Sequence, residues 1–401
     1  MYQFIENGTV TSVQGFKAAG IHCGLKKKKP DLALIYSEVP CNAAGTFTLN
    51  KVKAAPILIS QKIIQKKNQV RAILVNSGNA NACTGEQGHK DAIEIQEHCA
   101  KILELKPNEV LVSSTGVIGQ PIPVDKIIHG INEIKDSLTS SGGHDAAEAI
   151  MTTDLREKSF ALKIKLTGGE VRIGGICKGS GMIMPNMATM LAFITTDANI
   201  EQALLQEMLL HAVNKTFNKI TVDGDTSTND MVILLANGLS GISVKKDSVD
   251  YNLFLKGLNL ISEEMAKSII VDGEGATKLI RVTVHNAKTS SDADTIAKSI
   301  ANSPLVKTAL NGADANWGRI ISAAGKSGAD FDPLNTMIYF DELPIMLAGY
   351  KIVIDEVKAA EILNRDNFSI SLDLNEGNFS STWWTCDFSQ EYIKINANYR
   401  T

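Results

Sequence analysis

The sequence predicts an α/β protein built in layers with hairpins, rather than a purely doubly wound parallel sheet. Apolar runs of strand length alternate along the chain with segments of helical period. One stretch, 160–179, reads instead as two strands folded on Thr167-Gly168-Gly169. With 401 residues, 44% of them apolar, the chain can bury a large core, and its length predicts more than one domain.

The elements follow in order. DLALIY (31–36), GTFTLN (45–50) and RAILVNSG (71–78) read as strands, the last ending in a glycine loop. Residues 86–105 carry apolar side chains at helical spacing and stop before Pro107. EVLVSSTG (109–116) is a strand, 123–138 a helix, 140–143 a short link and 144–154 helical. MLAFI starts a strand at 190. Helices are expected over 201–217 and 252–270, and strands over 231–238 and 278–287. A single helix, opened by a serine/aspartate cap, covers 290–310. Strands are expected around 370–375 and over 391–400.

Charge and composition narrow the function classes. The net charge is −4, from 40 basic and 44 acidic residues, which argues against nucleic acid or an anionic membrane as partner. The basic run LKKKKPD (25–31) reads as a solvated loop. No run approaches the roughly 20 apolar residues of a membrane helix. MYQFIENGTVTSVQGF at the N-terminus lacks the pattern of a signal peptide, so a cytoplasmic chain is expected. The six cysteines form no CxxC pair, which predicts reduced thiols and no zinc site.

Familiar catalytic patterns are missing. None of the seven histidines lies in a glycine-rich segment, and there is no GxSxG, GxxxxGK[ST], strand-to-helix GxGxxG or HExxH. KGSG (178–181) leads into a strand and has the wrong spacing for a phosphate loop. What remains are glycine- and hydroxyl-rich loops: NSGNANACTG (76–85), SSTG (113–116), KGSG, VDGDTSTND (222–230), VDGEGATK (271–278) and NGADANWGR (311–319). Each alone is ordinary turn chemistry; six in one chain predict a polar pocket.

Thr189 is a lone hydroxyl at the mouth of an apolar strand. Breaking the Ala188–Thr189 peptide would give it an α-amine of pKa near ~8, a base beside the hydroxyl. Small Ala188, and Pro185 after glycines, suit such a cut. On spacing alone the plainer reading is that Thr189 simply begins a buried strand, and both readings stand at this point.

GSGMIMPNMATMLAFITTDA (179–198) resembles the processing site of the ornithine acetyltransferases, the bifunctional glutamate N-acetyltransferases. So do NSGNANACTG, SSTGVIG (113–119), MTTD (151–154), TVDGDTSTND (221–230), DGEGATKLI (272–280), SPLVKTALNGADANWGRI (303–320) and INANYRT (395–401), in family order over essentially the whole chain. WWTCDFS (383–389) and NAAGTFT (42–48) depart from the pattern without touching these motifs.

The resemblance implies a self-processing N-terminal-nucleophile fold of the DmpA type. It implies a cut into an α chain, 1–188, and a β chain, 189–401, which share a core around the cleavage site and assemble as α2β2. Thr189 would be nucleophile in cleavage and acetyl acceptor in transfer from N-acetylornithine to glutamate, in arginine biosynthesis. Thr115 and Gly116 match the oxyanion hole. Thr152, Lys178, Thr189, Glu274, Asn396 and Thr401 match substrate-binding positions, with Lys178 assigned here to the substrate carboxylate and Glu274 to its ammonium. No metal or cofactor is expected. Members with and without acetyl-CoA activity share these motifs, so acetyl-CoA as co-substrate is left open. A self-processing aminopeptidase or amidohydrolase of the same fold is the alternative.

Overall fold

The computed structural model describes residues 1–184 and 190–397. Ala188, Thr189 and Thr401 lie outside the described residues. The chain divides into two compact units, Met1–Asn218 with Asp225–Ile269, and Lys219–Gly224 with Ile270–Thr401. Both are α/β, as the alternation of periods predicts.

The first unit holds a nine-stranded sheet. Its order is Tyr2–Phe4, Lys158–Leu166, Gly169–Lys178, Leu191–Thr196, Met231–Ala236, Leu32–Phe47, Val70–Asn79 and Val110–Val117, with Phe16–Ile21 also pairing Leu32–Phe47. The expected hairpin is present, with Leu166 opposite Gly169. Strands from both sides of position 188/189 share the sheet: Gly169–Lys178 runs antiparallel to Leu191–Thr196, which runs parallel to Met231–Ala236. Their apolar side chains, Ile176, Leu191, Phe193 and Ile233 among them, enter one core with Ile35, Ile73 and Leu111. Helices Ala55–Gln65, Gly85–Ile102 and Val124–Ile134 close over it through Ile57, Ile95 and Ile131.

Two of the expected strands, 31–36 and 45–50, are halves of one long strand, Leu32–Phe47. Its first half pairs Val70–Asn79 and its second pairs Met231–Ala236, with a register shift between Tyr36 and Cys41. Pro40 lies in that shift, where a residue without N–H costs no ladder bond. The helix expected over 144–154 ends early, at Gly143–Ala149. The Asp154 carboxylate takes the Thr152 N–H at 2.9 Å, a local turn bond that competes with helix.

The second unit holds a seven-stranded sheet around Leu279–Ala287, flanked by Asn367–Asp373 and Phe379–Cys386. Ile280, Ile296, Phe340, Ile370 and Trp383 fill its core. The helix expected over 290–310 is two, Ser290–Ala301 and Pro304–Asn311, because Pro304 cannot continue the first and Ser303 caps the second. The strand expected over 391–400 is a helix where it is described, Gln390–Ala397. Ile393 and Ile395, alternating with Lys394 and Asn396, imitate a strand, but Ser389 Oγ accepts the Glu391 N–H, and Phe388 stacks on Tyr392 at 4.9 Å, pinning a helical first turn.

The six cysteines are free thiols. Among the described residues no helix is long and apolar enough to cross a membrane, and no cluster of three His, Cys, Asp or Glu side chains is placed to hold a metal.

Candidate active site

Val70–Asn79 and Val110–Val117 are parallel strands whose apolar runs, Ala72–Val75 and Val110–Val112, give way toward their carboxyl ends to Asn76-Ser77-Gly78 and Ser113-Ser114-Thr115-Gly116. Carboxyl ends of parallel strands are where α/β sheets place ligands. Ser77 sits opposite Thr115 and Gly78 opposite Gly116. Gly116 has φ +132°, and a Cβ there would lie 2.4 Å from the Gly78 carbonyl carbon, so only glycine fits.

Lys178 ends the strand Gly169–Lys178 and is buried, at 3% exposure. Its Nζ donates to Thr115 Oγ1 and to Thr152 Oγ1, both at 3.1 Å. Asp154 shapes this cluster from behind. Its Oδ1 accepts from Lys158 Nζ and from the Gly179 N–H, each at 2.7 Å. Burial alone would raise the Asp154 carboxyl, but the charges of Lys178 and Lys158 and the hydrogen bonds hold it well below the usual carboxylate range. Lys26 joins from the basic run: its Nζ donates to Pro30 O and Met151 O, both at 2.7 Å. Burial pulls its pKa down to about 8, assisted by Lys178 and opposed by Asp31. The solvated-loop reading therefore holds for Lys27, Lys28 and Lys29, which are exposed, and fails for Lys26. The buried Asp31 carboxylate gathers the N–H groups of Cys23, Leu25 and Lys26 and turns that one lysine inward.

A third group comes from the segment before Met231–Ala236. Asn229 Nδ2 donates to Ala80 O at 2.7 Å and to Ser114 O at 2.8 Å, which fixes the residue preceding Thr115. Asp230, fully buried, accepts the Met190 N–H at 3.0 Å. Burial pushes the Asp230 carboxyl well up, against the Met190 hydrogen bond and the Lys178 charge.

In the second unit the Glu274 carboxylate is buried, at 7% exposure, and accepts from Asn396 Nδ2 at 2.8 Å. Gly275 has φ +70°, and a Cβ there would meet the Tyr392 N at 2.5 Å. Ser389 Oγ donates to Gly275 O at 2.6 Å. These contacts fasten the glutamate loop to the helix that carries Asn396.

A family model, that of the ArgJ family, matches residues 17–401. The chain belongs to the ArgJ family. The arginine biosynthesis bifunctional protein ArgJ of Caldanaerobacter subterraneus subsp. tengcongensis is 47% identical over 402 residues, covering 99% of this chain and 100% of its own. The arginine biosynthesis bifunctional protein ArgJ 1 of Clostridium acetobutylicum is 49% identical over 403 residues, covering 99% of this chain and 98% of its own. Two solved chains are similar to parts of it. The arginine biosynthesis bifunctional protein argJ of Bacillus halodurans covers 46% of this chain and 97% of its own at 44% identity, with TM-score 0.45. Ornithine acetyltransferase of Mycobacterium tuberculosis, solved with ornithine, covers 46% of this chain and 98% of its own at 39% identity, with TM-score 0.44.

Of the residues singled out by sequence, the structure brings together Thr115, Thr152 and Lys178, with Gly116 beside Thr115, and it pairs Glu274 with Asn396. Ala188, Thr189 and Thr401 fall outside the described residues. Sequence reasoning assigned no role to Asp154, Lys26, Asn229 or Asp230. Asp154, Asn229 and Asp230 stand in family-like blocks, and their signal was an Asp or Asn in a small-residue loop beside a strand end.

Proposed function

We propose that the Lys178–Thr115–Thr152 cluster serves an acetyl transfer in which Thr189, freed by self-cleavage, is the nucleophile. The chain is an acyltransferase of arginine biosynthesis that moves acetyl from N-acetylornithine to glutamate. The observation that carries the site reading is the buried lysine held between the two threonines that the resemblance names independently.

The steps balance as follows. Thr189 Oγ attacks the Ala188 carbonyl, the peptide nitrogen leaves as an amine, and water hydrolyses the resulting ester. The new α-amine then takes the Thr189 hydroxyl proton as Oγ attacks the acetyl carbonyl of N-acetylornithine. The Thr115 hydroxyl and the Gly116 N–H receive the oxyanion. The tetrahedral centre collapses, and ornithine leaves with the proton. Glutamate's α-amine attacks the acetyl-threonine ester by the reverse path. The ester stores the acyl group, so neither a metal nor a cofactor enters these steps; acetyl-CoA would enter only as another acetyl donor.

Lys178 pairs with the substrate carboxylate, with Thr152 alongside. Glu274, held by Asn396, takes the ammonium, and Thr401 completes the substrate contacts. The mature protein would be α chains of 1–188 and β chains of 189–401, assembled as α2β2 in the cytoplasm. Initial rates with both substrates varied test the mechanism: parallel double-reciprocal lines are expected. Acetate release that does not depend on glutamate would favour the amidohydrolase alternative.

A further inference from the structure

The geometry points to residues 226–230 as a clamp that positions the nucleophile segment, with Asp230 and Thr226 as its two jaws. The inference rests on the reading of Thr189 given above and adds positioning residues to it. The site residues named by the resemblance do not include either one.

Three observations place the clamp. On the downstream side, Asp230 Oδ1 accepts the N–H of Met190, the residue bonded to Thr189, at 3.0 Å. On the upstream side, Thr226 Oγ1 donates to Met184 O at 3.2 Å, and Thr226 forms an antiparallel bridge with Ile183. Between the jaws, Asn229 Nδ2 holds Ser114 O at 2.8 Å, one residue before Thr115. One short segment thus ties both flanks of 185–189 and the strand end that carries Thr115 and Gly116.

The clamp is itself anchored. Thr48 Oγ1 donates to Ser227 O at 2.7 Å, Asn50 Nδ2 to Thr226 O at 3.0 Å, and the Ala54 N–H to Thr228 O at 3.0 Å. The Thr48 N–H donates to Asp230 O at 3.0 Å. Both partners of each bond lie in the first unit.

Asp230 carries a feature that packing alone does not explain. It is fully buried, and among the described residues its Oδ2 has no hydrogen-bond partner. A buried ionised carboxylate with an empty oxygen is costly. Burial pushes the carboxyl toward its neutral form, in which one oxygen accepts from Met190 and the other is a donor. An Asn side chain presents the same pattern, an acceptor and a donor, in the same shape.

Reacting atoms must meet within a few tenths of an ångström, and a misplacement of about 1 Å can cost ~100-fold in rate. Asp230→Asn is therefore expected to cut itself and turn over within about threefold of wild type. Asp230→Ala, and Thr226→Val on the other flank, are expected to slow self-cleavage and kcat by roughly 10- to 100-fold, with KM for N-acetylornithine within about twofold.

The experiment follows the freshly purified full chain by denatured intact mass over time, then by initial rates, with thermal unfolding as control. A merely structural role would lower the melting temperature and leave the kcat of the folded fraction and the order of Asn over Ala unchanged. Wild-type cleavage and kcat in both Asp230→Ala and Thr226→Val overturn the clamp. If Asp230→Ala does not fold, Thr226→Val and Asp230→Asn decide: a slow Thr226→Val beside a near-normal Asp230→Asn supports the clamp, and any other combination rejects it. An uncut, inactive wild type would instead reject the underlying reading of Thr189.

Discussion

Lys178 Nζ lies 3.1 Å from Thr115 Oγ1, although four strands separate their parent strands in the sheet order. Strands are spaced about 4.8 Å apart, so a flat sheet would hold those two strands roughly 24 Å apart. The sheet must curl to let one lysine side chain close that distance, and the glycine-rich strand ends allow the approach. The site is thus a property of the whole first sheet rather than of one loop.

Lys178→Met keeps the stem of the side chain and removes its charge. It is expected to raise KM for N-acetylornithine and to lower kcat/KM by ~100-fold or more, as loss of a buried charged partner does. Lys178→Arg is expected to rescue poorly, because both threonine contacts take a single point donor. Steady-state kinetics on the cut enzyme measures both.

Thr115 separates its two atoms cleanly. Thr115→Ser keeps the hydroxyl and is expected to retain activity within about tenfold. Thr115→Val keeps the shape, removes the donor, and is expected to lose roughly 3 kcal/mol of transition-state stabilisation, about 100-fold in kcat. Gly116→Ala meets the Gly78 backbone and is expected to impair folding as well as turnover.

The two buried carboxylates predict opposite pH responses. Asp154 ionises more readily in the folded chain, so its contribution to stability is whole above the ordinary carboxylate range and is lost as pH falls through that range toward its folded value. Asp230 is shifted the other way, so its contribution is whole below that range and fades as pH rises toward its higher folded value. Urea unfolding between pH 3 and 7, taken as wild type minus Asp154→Asn and wild type minus Asp230→Asn, should give slopes of opposite sign. Asp154→Ala, which takes the carboxylate of this buried ion pair away from Lys158, should cost about 3–5 kcal/mol.

Lys26 should stand apart from its neighbours. Replacing Lys27, Lys28 and Lys29 together by Gln is expected to change stability by less than about 0.5 kcal/mol each. Lys26→Met removes the donor that ties the 22–31 loop to Met151 O and is expected to weaken turnover through Thr152. The folded lysine loses its proton near pH 8, well before an unfolded one would, so its burial costs less stability as pH rises above 8. Melting temperatures of wild type and Lys26→Met across pH 7–10 should converge or cross in that sense.

In the second unit, Glu274→Gln is expected to raise KM for N-acetylornithine. Asn396→Ala, which strips the Glu274 carboxylate of its amide donor, is expected to cost about 1–3 kcal/mol in stability or binding. Unchanged KM in Glu274→Gln would remove this residue from substrate binding.

Much of this was legible in the sequence because local rules and tertiary context agree. The strands at 70–79 and 110–117 announce themselves by apolar runs, Ala72–Val75 and Val110–Val112, that stop at Asn and Ser before Thr and Gly, and those stops line the candidate site. The hairpin at 167–169 follows from its glycines. What failed were places where one period imitates another or where a single residue overrides a pattern. Residues 391–397 alternate like a strand but coil into a helix, and Pro304 splits a helix that periodicity joins. Asp154, Asp230 and Lys26 were illegible for a different reason. Their roles depend on partners far along the chain or on burial, and a short polar residue in a small-residue loop looks the same whether it faces water or a lysine.

The central claim, that Thr189 is made an N-terminal nucleophile and then carries acetyl, is tested most directly by the denatured intact mass of the purified protein with and without N-acetylornithine. The account predicts two chains meeting at Ala188/Thr189, with one added acetyl group on the 189–401 chain alone after substrate and its loss when glutamate is supplied. A single uncut chain, or a cut chain that never gains acetyl on the second fragment, would contradict it.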